Sequence, residues 1–204
     1  MRGQHTTHVR PFPISVAPDL VGGARPADRA AVLAALGATG EFIGVGVDRV
    51  DYTKGLPERL RALRRFFERW PEYRGRLTFI QIASPSRSRI ARYQAVQEET
   101  REIVRTLNAD LGERGWQPIV YRERHHDHRE IDEFYRLADF CMVTSLHDGM
   151  NLVAKEFVAA RDEDDGVLIL SRFAGASHEL PDALLVNPYA TDAALRVRWR
   201  FGVG

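Results

Sequence analysis

The sequence predicts an α/β protein built on a doubly wound, parallel, Rossmann-like sheet. Three observations carry the prediction. Short apolar runs rich in β-branched residues recur along the chain, helix-period segments fall between them, and polar turns follow the runs.

Taken in order, residues 1–40 contain Pro11, Pro13, Pro18 and Pro26, and only residues 12–16 read as strand and 30–36 as a short helix. Residues 42–48 form the first core strand. Residues 57–70 place Leu60, Leu63, Phe66 and Phe67 on one face and arginines on the other, an amphipathic helix. Residues 77–83 form the second strand, and residues 90–111 a long, polar, helix-prone segment. Residues 118–121 and 140–144 supply two more strands. Asn151 then reads as the N-cap of a helix whose Val153, Phe157 and Ala160 share a face. Residues 167–171 and 184–186 complete the sheet. Both ends read as places where a longer protein is cut: a partial or poorly ordered segment 1–40, a central domain 41–190, and a truncated or divergent segment 191–204.

Composition excludes several classes. A chain of 204 residues that is 44% hydrophobic and 28% charged is an ordinary globular protein with room for a substantial core. With 29 basic and 28 acidic residues the net charge is +1, so no global field recruits nucleic acid or an anionic membrane, and any anion must be bound locally. No apolar run is long enough to span a bilayer, and no signal peptide follows Met1. The single cysteine, Cys141, reads as core and agrees with a reducing compartment; the expected location is the cytoplasm.

In open α/β sheets, ligands bind beyond the C-terminal ends of the strands. Sorting the polar clusters by that rule brings Arg49 and Lys54 after the first strand, Arg87 after the second, Arg124 to His126 after the third, and Asp148-Gly149 after the fourth to one edge. Cations beside a helix N-terminus are what a diphosphate requires. Gly149 reads as the turn that frees backbone N–H groups, Asp148 as an acceptor for sugar hydroxyls, and Glu156, roughly 9 Å further along at ~1.5 Å per residue, as an acid for ribose hydroxyls.

Other signals are weaker. The acidic run 162–165 falls on the opposite edge and reads as a solvated turn. His125, His126 and His128 lack a second pair at zinc spacing, so a hydrogen bond from His126 to ligand is expected rather than a metal. Gly44-x-Gly46 has no third glycine at dinucleotide spacing, and no phosphate-loop pattern occurs. The Arg/Glu-rich segment 87–105 has one aromatic, Tyr93, and reads as a solvated helix rather than a nucleic-acid face.

Three motifs carry a family resemblance: Gly46-Val47-Asp48-Arg49-Val50-Asp51-Tyr52-Thr53-Lys54-Gly55-Leu56-Pro57-Glu58-Arg59, Gln81-Ile82-Ala83-Ser84-Pro85-Ser86-Arg87, and Asp148-Gly149-Met150-Asn151-Leu152-Val153-Ala154-Lys155-Glu156. Together they resemble the trehalose-6-phosphate synthase family, glycosyltransferase family 20, over roughly residues 40–190. That span corresponds to the C-terminal, donor-binding half of a two-domain GT-B enzyme.

The resemblance implies a retaining transfer of glucose from UDP-glucose to glucose 6-phosphate, forming trehalose 6-phosphate without a cofactor or required metal. It also implies roles. Arg49 and Lys54 would hold the diphosphate and stabilise its departure. Asp148 would contact the glucosyl hydroxyls, assisted by the backbone of Gly149, Met150, Asn151 and Leu152. Glu156 would bind the ribose, Arg87 would lie near the acceptor phosphate and donor, and Ile82 and His126 would complete the substrate-binding set. The N-terminal half, which carries the acceptor site in the family, has no counterpart here, so an acceptor domain or a second copy of the chain is the expected partner. Residues 144–148 also resemble the related glucosylglycerol-phosphate synthases, which leaves glycerol 3-phosphate open as acceptor. A non-catalytic UDP-sugar-binding remnant is the remaining alternative.

Overall fold

The computed structural model describes residues 7–10, 12–17, 28–86, 90–113, 115–161 and 165–190. Its elements are α1 (Arg29–Leu36), β1 (Phe42–Arg49), α2 (Leu56–Arg69), β2 (Leu77–Ser84), α3 (Ala91–Leu111), β3 (Ile119–Arg122), α4 (His128–Leu137), β4 (Phe140–Val143), α5 (Leu152–Ala159), β5 (Val167–Ser171) and β6 (Leu184–Val186). All strand pairings are parallel, in the order β3-β2-β1-β4-β5-β6. The doubly wound α/β prediction is met, and each predicted core strand and helix lies within a residue or so of its observed counterpart.

Side chains alternate across the strands, and both faces of the sheet are covered, which is why the strands read as nearly continuous apolar runs. Ile43, Val45, Val47, Ile80, Ile82, Cys141, Val143, Leu168 and Leu170 pack with Leu33 of α1, Phe134, Tyr135 and Leu137 of α4, and Phe157 of α5. Leu77, Phe79, Phe140, Met142 and Ile169 face the other way, against Leu60, Leu63, Phe66 and Phe67 of α2 and Val104, Leu107 and Leu111 of α3. Cys141 is a fully buried free thiol, as its apolar neighbours suggested.

The glycines of β1 are explained by this packing rather than by phosphate binding. A Cβ on Gly44 would stand 2.1 Å from the Phe140 ring, and one on Gly46 would stand 2.4 Å from the Arg59 guanidinium. Small residues on that face of β1 make room for an aromatic and for a buried cation.

Two expectations need correction. Residues 12–16 form no strand: Phe12 and Ile14 are 84% and 58% exposed, and the segment has no strand partner. Its β-branched composition is not enough without a sheet edge to pair with. Its anchor is Lys155 Nζ, which donates to Ile14 O at 2.7 Å. The second correction is α4, which sequence patterning does not single out. It starts on Asp127, whose carboxylate accepts from Glu130 N at 2.9 Å, and it buries only its last turn. Its polar first half hides its apolar face.

The acidic run falls mostly outside the described residues; Asp165 accepts from Arg161 at 3.4 Å. The segment expected to be a solvated helix is mostly exposed where it is described, and packs on the sheet through Tyr93, Thr100 and Val104. No helix of the described residues is long and apolar enough to cross a membrane, and no group of three metal-ligating side chains gathers among them.

Candidate active site

The strand order reverses at β1, which has β2 on one side and β4 on the other. Ligands of doubly wound sheets bind in the crevice outside the strand ends at such a reversal. Register between β1 and β4 covers only Gly44 with Phe140 and Val45 with Cys141, so the last four residues of β1 have no ladder partner on that side. Arg59 of α2 fills the gap. It is 1% exposed, its Nη1 donates to Asp48 Oδ2 at 2.6 Å and Gln81 Oε1 at 2.8 Å, and its Nε donates to Thr144 Oγ1 at 2.9 Å. One side chain thus ties β1, β2 and the end of β4 together under the crevice. Burial pushes the Asp48 carboxyl up against the opposing pull of Arg59.

Two loops form the crevice walls. In the loop after β1, Asp51 Oδ1 accepts from Thr53 N at 2.9 Å and Thr53 Oγ1 at 3.0 Å, a local turn that exposes the carbonyl of Thr53. That carbonyl accepts from Leu146 N at 2.7 Å and His147 N at 3.3 Å in the loop after β4. Gly55 closes the first loop with φ of 67°, and a Cβ there would meet Thr144 O at 2.4 Å. Left-handed backbone and close approach both require glycine.

Across these walls Lys54 Nζ meets Asp148 Oδ2 at 2.6 Å, with the side chains 16% and 15% exposed. The same carboxylate oxygen accepts from Asn151 Nδ2 at 3.0 Å and Ser145 Oγ at 3.4 Å. Burial opposes ionisation of Asp148, but Lys54, Asn151 and the Met150 amide outweigh it and hold the carboxyl below its usual range.

In the turn into α5 the positive-φ residue is Asn151, with φ of 80°, and not Gly149. A non-glycine residue there costs about 1–3 kcal/mol. The Asn151 side chain offsets that cost twice, accepting from Ala154 N at 3.0 Å as the predicted N-cap and donating to Asp148. Gly149 has a different job. A Cβ on it would meet nothing within 4 Å, which leaves open space over the helix start, while a Cβ on Gly175 would stand 2.1 Å from Gly149 O. Gly175 N and Ala176 N also donate to Asp148 O and Met150 O, at 3.0 and 2.7 Å, so the loop after β5 supports the loop after β4.

Of the other expected site residues, Arg49 is exposed at the end of β1 with no side-chain partner among the described residues. Glu156 Oε2 accepts from Tyr135 at 3.0 Å, and the acid lines a cavity of about 350 Å³ with Leu152, Tyr135, His128, Asp132 and residues 15–17. Leu152 and Met150 are both half-buried. Arg87 lies outside the described residues. Ile82 is wholly buried in the sheet core, so its side chain is not presented to a ligand. The His126 side chain is also sealed: Nδ1 lies 3.2 Å from Glu130 Oε2 and the ring packs edge-on against Phe134. Burial and neighbouring Arg124 lower its pKa, and the side chain is not brought to the crevice. Sequence reasoning missed Tyr135, Gly175 and the role of Arg59. Only Gly46 beside Asp48 hinted at the last, a missing side chain where a buried cation needs room.

A parallel sheet with its order reversed at a crevice, a helix N-terminus facing it and a lysine-carboxylate pair across it define a doubly wound α/β domain of the ligand-binding class. The chain belongs to glycosyltransferase family 20, whose model matches residues 2–196. It is 40% identical over 200 residues to the trehalose-6-phosphate synthase of Cronobacter sakazakii, covering 93% of this chain and 42% of that protein. It is 41% identical over 153 residues to the UDP-forming alpha,alpha-trehalose-phosphate synthase A of Dictyostelium discoideum, covering 75% of this chain and 21% of that one. Among solved structures, the E. coli trehalose-6-phosphate structure bound with UDP-2-fluoro glucose matches with a TM-score of 0.84 and 38% identity over 93% of this chain and 43% of its own. A UDP-forming synthase from Burkholderia xenovorans in complex with glucose-6-phosphate matches with a TM-score of 0.85 and 37% identity over the same shares. The chain therefore spans at most about two fifths of these relatives' length.

Proposed function

We propose that the chain is the donor-binding part of a retaining, UDP-forming trehalose-6-phosphate synthase, which moves glucose from UDP-glucose to glucose 6-phosphate. The observation that carries the reading is the Lys54–Asp148 pair at the reversal of the sheet, beside the open start of α5. The similarity to a structure bound with UDP-2-fluoro glucose supports the donor, and the similarity to one in complex with glucose-6-phosphate supports the acceptor.

In this reading Lys54 and Arg49 carry the charge of the diphosphate and of the leaving oxygen, a role that needs cations placed before the bond breaks. Asp148 orients the sugar hydroxyls, and the backbone from Gly149 to Leu152, over which Gly149 leaves open space, takes the remaining anionic oxygens. Glu156 holds the ribose from the wall of its cavity. Arg87 is assigned by its motif alone, near the acceptor phosphate. The reading assigns the charge to these side chains rather than to a metal or cofactor. The acceptor side belongs to a second domain or a partner chain, because the relatives are more than twice as long as the part they share with this chain.

The test is a calorimetric titration of the chain with UDP-glucose, followed by assays for UDP release with glucose 6-phosphate and, separately, glycerol 3-phosphate. Binding with release on glucose 6-phosphate supports the full reading; release on glycerol 3-phosphate alone reassigns the acceptor. Binding without turnover identifies a donor half-site, and no binding overturns the proposal.

A further inference from the structure

We infer that Tyr135 is a positioning residue for the nucleoside end of the donor site, acting through the hydrogen bond its hydroxyl donates to Glu156. The inference rests on the ribose role proposed for Glu156 and deepens it.

Tyr135 is 1% exposed on the last turn of α4, with its ring edge-on to Phe157 at 6.1 Å between centroids and 82° between planes. The ring is held in the core, and Tyr135 also lines the cavity of about 350 Å³ that Glu156 lines. The hydroxyl lies 3.0 Å from Glu156 Oε2, whereas Glu156 Oε1 has no hydrogen-bond partner among the described residues. Burial raises the phenol well above its ordinary pKa, so it stays protonated and can only donate to the carboxylate.

A carboxylate on a helix surface samples several rotamers, and ordering it on binding costs free energy. Tying one oxygen to a rigid phenol removes most of that freedom. The other oxygen carries no such tie, and because Glu156 lines the cavity it is the acceptor the inference assigns to adjacent ribose hydroxyls. Glu156 itself would touch the ligand; Tyr135 would act only by holding it.

The test compares UDP with 2′-deoxy-UDP by calorimetry on the wild-type chain, Tyr135→Phe and Glu156→Gln. Wild type is expected to prefer UDP by about tenfold, the worth of one charge-assisted hydrogen bond. In Tyr135→Phe the preference should fall to about twofold or less, with UDP affinity reduced and 2′-deoxy-UDP affinity nearly unchanged. A merely structural loss would lower both affinities together and keep their ratio, which would overturn the inference. If Tyr135→Phe keeps the wild-type ratio while Glu156→Gln loses it, Glu156 binds ribose without help from Tyr135. No preference in wild type would overturn the ribose role and the inference with it. Should Tyr135→Phe fail to fold, ζ-13C-tyrosine NMR of wild type decides. A Tyr135 resonance that responds to UDP and not to 2′-deoxy-UDP supports the inference, and an equal response to both overturns it.

Discussion

Lys54 and Asp148, 94 residues apart in the chain, meet at 2.6 Å across the crevice where the strand order of the sheet reverses. The pair joins the cation proposed for the diphosphate to the carboxylate proposed for the sugar. Without ligand, each neutralises the other.

That pairing separates the two roles experimentally. Lys54→Ala should lower affinity for UDP and UDP-glucose alike by about 1–3 kcal/mol, because a charge-assisted contact to phosphate is lost. Asp148→Asn should bind UDP at least as tightly as wild type, since Lys54 is released to the phosphate, but lose the extra affinity for UDP-glucose. Calorimetry with both ligands checks this; parallel losses in Asp148→Asn would contradict the assignment.

Acid sensitivity follows from the same carboxylate. Because Asp148 is held below its usual range in the folded state, its stabilising contribution is complete above the unfolded value of about 3.9 and is lost as pH falls through the folded value. Thermal midpoints of wild type should therefore drop more steeply below about pH 4 than those of Asp148→Asn. Equal slopes would show that the pair contributes nothing to folding.

The loop after β5 predicts a contrast between two glycines. Gly175→Ala would drive a methyl to 2.1 Å from Gly149 O, and since that neighbour is backbone the loop after β4 must shift. A stability loss of about 1–3 kcal/mol and weaker UDP-glucose binding are expected. Gly149→Ala meets nothing within 4 Å and should leave the melting temperature nearly unchanged while weakening the ligand that occupies that space. Denaturation and titration of both variants provide the comparison.

Arg59→Met should be the most destabilising of these changes, by about 3–5 kcal/mol, because it strands Asp48 in a buried site. Adding Asp48→Asn removes the stranded charge, so the double variant should be more stable than the sum of the single losses. Urea denaturation of the four proteins measures the coupling.

Much of this molecule was legible in one dimension. Strands such as residues 77–83 and 167–171 announce themselves because both sheet faces are covered, so nearly every side chain is apolar. Helices α2 and α5 are marked by their periodic apolar faces, and α5 also by Asn151 at its start, since a helix N-terminus leaves amides that a short polar side chain satisfies. Lys54 and Asp148 fall just past strand ends in such a sheet, so their place at one edge followed from strand direction alone.

The failures share a different cause. Residues 12–16 have strand composition, yet a strand exists only if a neighbour offers hydrogen bonds, and none is adjacent. His126 looks like a ligand-binding group from its type, but the packing of α4 seals its side chain.

The sequence by itself determined the sheet, its direction, the family and the edge proposed for the site, because these follow from local periodicity and from motifs contiguous in the chain. Tertiary structure alone decided that Lys54 pairs with Asp148, that Tyr135 holds Glu156 and that Arg59 fills the gap beside β1. Those contacts join residues on separate elements, and their geometry is set by strand order and packing, which no local pattern encodes.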